Sequence, residues 1–150
     1  MTKDEILAAQ KAWADGIVDI GRVFTAKGDY KARAAKHIDT LYGYDEGPVL
    51  FKPTLAAEQQ FRGSKEDALS YFVGGHIAED KGFAIRPWIN VRFDNHGMIL
   101  RENSALAMGN YFITQSDGEV LKVEYSFCYF RAENGDIKIN LHHSSLPFSG

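Results

Sequence analysis

Residues 137–147 read IKINLHHSSLP. Side chains alternate along a strand with a period of two. Ile137, Ile139, Leu141, His143 and Ser145 therefore fall on one face, and Lys138, Asn140, His142 and Ser144 on the other. The first face begins apolar and ends in an imidazole and a hydroxyl. This change of character predicts a strand that leaves a dry interior and enters a pocket, with His143 and Ser145 pointing into it. Pro147 stops the pairing, because it has no N–H to give to a ladder. The rest of the chain then reads as the wall of that cavity.

Upstream of this stretch the pattern is strand after strand. Trp88–Phe93 alternates, and Asn95-His96-Gly97 reads as a hairpin turn. Ser104–Thr114 and Val120–Phe130 read as long strands, with turns at Ser116-Asp117-Gly118 and Glu133-Asn134-Gly135. The first half of the chain is helical. Thr2 and Glu5 fit a capping box, and Ile6, Trp13, Ile17, Ile20 and Phe24 recur at helical spacing as far as Gly28. A second helix is expected over Asp29–Tyr42, with Ala34, Ile38 and Leu41 inward and His37 on the solvated side. Val49–Lys52 reads as a strand that Pro53 breaks. Thr54–Arg62 fits a short strand or a turn of helix. Ser64 and Asp67 fit the start of a third helix, which ends at Gly74-Gly75. The order is helices, then an antiparallel meander of four long strands. This predicts a single α+β domain, residues 1–150, in which a curved sheet buries one face against the helices and leaves a cone with an open mouth.

Composition narrows the function. Hydrophobic residues are 45% and charged residues 25%, within the range of a water-facing globular domain. Aromatic residues reach 13%, with ten Phe and seven Tyr, which suits strands and an apolar pocket. The net charge is −3 and no basic run occurs, so nucleic acid is not an expected partner. No apolar run approaches a membrane span, and the first residues lack the apolar core of a signal peptide. Cys128 is the single cysteine. A reducing, cytoplasmic setting is the expectation.

Four residues stand out as site candidates: Thr54, placed by the preceding proline; Tyr71, on the third helix; and His143 and Ser145. Each also has a plain structural reading, as a cap hydroxyl, a core tyrosine or a hydrogen-bonded core histidine. Adjacent histidines on a strand point to opposite faces, so His142 and His143 do not suit one metal ion. No His/Cys/carboxylate spacing supplies the three or four ligands that zinc takes.

The runs LFKPTLA (50–56), FRG (61–63), LSYFVGG (69–75), DKGFAI and PW (80–88, around Arg86), MGNYF (108–112), KVEY (122–125) and LHHSSLP (141–147) together resemble the iota-class carbonic anhydrases of cyanobacteria and algae. The resemblance spans nearly the whole chain. It implies the cone-shaped nuclear transport factor 2-like (SnoaL-like) fold, shared with the association domain of calcium/calmodulin-dependent protein kinase II and commonly dimeric through the open sheet face. It implies reversible hydration of carbon dioxide to bicarbonate, a lyase reaction, with no metal cofactor and a homodimeric enzyme. Thr54, Tyr71, His143 and Ser145 are the positions carried over by motif, with His143 as general base and the hydroxyls orienting water and bicarbonate. Some algal relatives carry three consecutive histidines where this chain has Leu141 before His142-His143. A hydratase using manganese or zinc, a non-catalytic association or ligand-binding module, and a different small-molecule enzyme of the cone fold, such as an isomerase or dehydratase, are the alternatives.

Overall fold

The computed structural model describes residues 1–86 and 88–150; Pro87, in the PW run, lies outside them. Helix α1 (Lys3–Thr25) starts at Thr2, whose hydroxyl accepts the Glu5 N–H while the Glu5 carboxylate accepts the Thr2 N–H. Both bonds satisfy N–H groups that a helix start leaves free. Its stripe of Ile6, Trp13, Ile17 and Ile20 is buried. Phe24 leaves the stripe: it is exposed and meets Tyr30 edge-on at 4.9 Å. Helix α2 (Tyr30–Leu41) is capped by Asp29 and buries Ala34, Ile38 and Leu41.

His37, expected in solvent, is buried against α1. The two helices approach so closely that a Cβ on Gly16 would lie 2.1 Å from the His37 Nδ1, so only glycine permits the contact. Burial first, and Arg33 second, lower the His37 pKa from 6.5 to about 3. A neutral ring therefore sits in the core at neutral pH.

Strand β1 (Leu50–Lys52) follows, then helix α3 (Lys65–Val73), capped by Ser64. Residues 54–62 form neither the strand nor the helical turn that their pattern allowed. Their backbone is held instead by Glu79, whose carboxylate accepts the N–H groups of Ala57, Glu58 and Gln59 at 2.8, 3.0 and 2.7 Å. These bonds do for the loop what a ladder would otherwise do.

Four long strands complete the fold: β2 (Trp88–Leu100), β3 (Ser104–Gln115), β4 (Val120–Arg131) and β5 (Ile137–Ser145). The sheet order is β1-β5-β4-β3-β2, antiparallel except where β1 lies parallel to β5. The turns at Gly118 and Gly135 form as expected. The hairpin at Asn95-His96-Gly97 does not. Strand β2 runs through it, and the chain reverses at residues 101–103, closed by an Arg101 N–H to Ser104 C=O bond of 2.9 Å. Asn95 pairs with Gly109 and Gly97 with Met108, which leaves His96 as the extra residue of a β-bulge. The bulge crosses so near β3 that a Cβ on Gly109 would meet the Asp94 carbonyl at 2.4 Å. Asn95 is also drawn inward to Gln10 of α1 and Tyr125 of β4. The glycine that looked like a turn signal thus belongs to a bend that curls the sheet around α1.

Candidate active site

The inner face of the sheet is aromatic. Tyr111, Tyr125, Phe127 and Tyr129 are buried there, Trp13 of α1 packs on Tyr111 and Phe127, and Phe51 of the edge strand β1 stacks on His142. At the β5 end this wall becomes polar.

The expected phase of β5 is reversed at the site. Tyr129 pairs with Ile139 and Cys128 with Leu141, so Asn140 is an unpaired extra residue, a second bulge. A one-residue slip moves every following side chain to the other face. Ile139 is inward as expected, but beyond the bulge His142 and Ser144 are inward, 2% and 1% exposed. His143 is turned to solvent and Ser145 is only half-buried. The expectation that His143 and Ser145 face the interior is therefore corrected: His142 and Ser144 do.

Strand β1 brings Thr54 to this place. Phe51 pairs with His142 and Lys52 with His143, so the chain beyond Pro53 arrives beside Ser144. The Thr54 hydroxyl donates to the Ser144 hydroxyl at 2.9 Å, both groups being buried. Tyr71 enters from the buried face of α3, and its hydroxyl accepts the Leu55 N–H at 3.2 Å. Burial raises its pKa, against the Leu55 N–H and the Thr54 hydroxyl beside it. Tyr111, from β3, completes the cluster. Burial pushes its phenol up to about 12, and the neighbouring Ser144 and Thr54 hydroxyls pull the other way. Both phenols are thus protonated at neutral pH and available as donors.

His142 forms the floor. Its ring is stacked on Phe51 at 4.8 Å and lies 4.3 Å from the Phe127 centroid. Burial is the main cause that holds its pKa well below 6.5, so the ring is neutral. Its tautomer follows from its partners. The Trp13 indole N–H donates to the Tyr42 hydroxyl at 2.9 Å, leaving that hydroxyl its own proton for the His142 Nδ1, 2.8 Å away. Indole has no acceptor, so the chain runs one way. The His142 Nε2 then keeps its hydrogen and faces the Tyr111 hydroxyl at 3.4 Å. The lone pair of the imidazole is occupied by Tyr42, and the edge nearer the pocket is a donor. The ring thus turns an N–H, not a free lone pair, towards the Tyr111 hydroxyl, while His143, the imidazole expected as general base, is exposed.

Two consequences bear on chemistry. Among the described residues no group of three or more His, Cys, Asp or Glu side chains could hold a metal ion. A cavity of about 170 Å³, lined by Leu55, Tyr71, Phe83 and Arg86 among others, opens beside the cluster. A roomier cleft, about 540 Å³, lies between α1 and β2, and none of these hydroxyls lines it. Tyr42, Tyr111, His142 and Ser144 were not singled out as candidates by the sequence reading. The MGNYF run contained Tyr111, and the alternation argument named His142 and Ser144 on the rejected face.

Comparison with known proteins identifies the family. A curated relative from Nostoc sp. (strain PCC 7120), the metal-independent carbonic anhydrase, is 44% identical over 153 residues, covering 99% of this chain and 75% of the relative. The crystal structure of a cyanobacterial iota-carbonic anhydrase complexed with bicarbonate superposes with a TM-score of 0.96 at 43% identity, covering 100% of this chain and 94% of that one. A calcium/calmodulin-dependent protein kinase II association domain from Xanthomonas campestris, at 23% identity and TM-score 0.67, covers 97% of this chain and 88% of its own and shares the fold. The family profile of the metal-independent carbonic anhydrases matches residues 4–146, and the chain belongs to that family.

Proposed function

We propose that this chain hydrates carbon dioxide reversibly to bicarbonate, without a metal, at the hydroxyl cluster of Thr54, Tyr71, Tyr111 and Ser144. The observation that carries the reading is the buried Thr54–Ser144 pair at 2.9 Å, set above a neutral, oriented histidine.

The reaction needs a water to attack carbon and lose a proton while an oxygen of carbon dioxide gains charge. Serine and threonine hydroxyls each donate one proton and accept others, so a pair of them passes protons without holding a charge. Thr54 donates to Ser144, which leaves the Ser144 proton free to point onward. The attacking water gives its proton to Thr54, Thr54 gives its own to Ser144, and Ser144 gives its own to the carbon dioxide oxygen. The product of that cycle is carbonic acid, which ionises to bicarbonate and a proton in bulk water. Tyr71 and Tyr111 donate hydrogen bonds to the oxygens as charge grows. A donor of this kind contributes roughly 10²–10³ in kcat. Leu55 and Phe83 give the apolar, linear substrate a wall, and Tyr71 stacks on Phe83 at 5.4 Å.

The single catalytic domain of residues 1–150 is read as a cytoplasmic homodimer. The lone Cys128 fits a reducing compartment. Ile99 and Leu106 pair across β2 and β3 and, with Met108, leave an exposed apolar patch on the sheet that supports a second copy as its cover. No helix among the described residues is long and apolar enough to cross a membrane.

The test is a stopped-flow pH-indicator assay on the wild type and on Thr54→Val, Ser144→Ala, His143→Ala and Ser145→Ala, before and after dialysis against a chelator. The two variants of the hydroxyl pair are expected to lose roughly 10² or more in kcat, while the other two and the dialysed wild type keep their activity. Loss of activity on dialysis, restored by manganese or zinc, overturns the reading. So does an inactive His143→Ala beside an active Ser144→Ala.

A further inference from the structure

The runs FRG and DKGFAI each carry a charged residue with no place in the reaction described above, Arg62 and Asp80, and the two meet. Arg62 is fully buried, and the Asp80 side chain is 2% exposed. The guanidinium donates to both carboxylate oxygens at 2.7 Å, Nη1 to Oδ2 and Nη2 to Oδ1. Its Nε donates to the Gln59 carbonyl at 2.9 Å, and Nη1 also to the Asp67 carbonyl at 3.0 Å. The Ser70 hydroxyl donates to Asp80 at 2.6 Å and accepts the Ile77 N–H at 3.2 Å. The Arg62 backbone N–H bonds the Phe51 carbonyl at 2.8 Å.

The pair thus joins every piece that supplies a hydroxyl from outside the long strands. It is tied to β1 just before Thr54, to the loop after Leu55, and to α3 at Ser70, next to Tyr71. The guanidinium carbon also lies 5.7 Å from the centre of the Tyr71 ring. Stability alone does not ask for such a pair. Desolvating two charges costs several kcal/mol per ion, and well-packed apolar residues of like volume often serve as well or better. The planar fork of arginine does supply geometry, because two parallel bonds fix its plane.

We propose that Arg62 and Asp80 are positioning residues for the hydration reaction, acting through Tyr71. They hold α3 and the Thr54–Leu55 corner in one register, so that the Tyr71 phenol meets the Leu55 N–H and donates into the pocket. The nearby cation polarises that phenol and makes it a better donor. This inference rests on the reading of Tyr71 as a donor to the bicarbonate oxygens.

The experiment replaces the pair by apolar residues of similar size, Arg62→Met with Asp80→Leu, alone and in a Tyr71→Phe background. Circular dichroism and thermal melting report the fold. The expected result is a folded protein whose kcat falls about tenfold or more with a smaller change in KM, and whose kcat falls less than about twofold when Tyr71 is already phenylalanine. Full activity of the pair variant overturns the proposal, as does an equal loss in both backgrounds. NMR of ¹³C-tyrosine-labelled protein adds a readout independent of turnover: the Tyr71 Cζ resonance, assigned by its loss in Tyr71→Phe, moves in the pair variant, and an unmoved resonance overturns the proposal. If the double substitution does not fold, Arg62→Lys takes its place, keeping the charge and losing the fork, with the same expected and refuting results. Full activity of Tyr71→Phe by itself removes the reading of Tyr71, whereas an active pair variant beside an impaired Tyr71→Phe removes only the role of Arg62 and Asp80.

Discussion

Acid should loosen this protein through His37, and the effect is large enough to measure. The ring is buried between α1 and α2, its Nε2 has no hydrogen-bond partner among the described residues, and its pKa is lowered from 6.5 to about 3. The folded state therefore binds fewer protons than the unfolded state between those values. Stability is fully present above pH 6.5 and is lost as the pH falls from there towards 3. At pH 5 an unfolded chain with a histidine pKa of 6.5 gains about 2 kcal/mol over one that cannot protonate, from RT ln(1 + 10^1.5). The result barely changes if the folded value lies one unit higher. The assay is urea unfolding of the wild type and of His37→Leu at pH 8 and pH 5. Carboxylates titrate in both proteins and largely cancel in the comparison. The wild type is expected to lose about 2 kcal/mol more than the variant on going from pH 8 to pH 5. Equal losses, or a larger loss in the variant, refute the account of a neutral, buried His37. His142, lowered for the same reason, adds a loss of the same sign in both proteins.

Other outcomes follow from the site and the sheet. His142→Ala should lose about 3 kcal/mol or more of stability, measured by urea unfolding, because it empties a packed aromatic site and strands the Tyr42 hydroxyl. His143→Ala, on the solvent side, should stay within about 0.5 kcal/mol of the wild type. Tyr111→Phe keeps the ring and removes only the hydroxyl; kcat should fall by roughly 10² with little change in melting temperature, read by stopped flow and calorimetry. Gly109→Ala drives a Cβ into the backbone of the first bulge and should cost about 1–3 kcal/mol, measured by denaturant unfolding.

Much of the fold was legible one element at a time. Thr2 and Ser64 cap helices because their oxygens answer N–H groups within the same turn, and the chain reverses at Gly118 and Gly135. Period-two and helical stripes likewise depend only on near neighbours, so the helices, the four long strands and the α+β class could be read directly. Thr54 and Tyr71 became candidates through the family resemblance of the runs that contain them, not through a local pattern.

The strand pairing decided the rest. Whether a strand keeps its phase depends on its partner, and the extra residue at Asn140 exists only because Tyr129 pairs with Ile139 and Cys128 with Leu141. That single slip exchanges His143 and Ser145 for His142 and Ser144. The same holds for His96, which looked like the centre of a turn until Gly109 was placed opposite. Tyr42 and Tyr111 look like any core aromatic until a fold sets them on either side of one imidazole, 100 and 31 residues away along the chain. Local sequence determined which elements form and that a polar strand end would face a greasy interior. Only the tertiary structure determined which hydroxyls share that interior and that its histidine is a neutral donor, because burial and long-range partners set both.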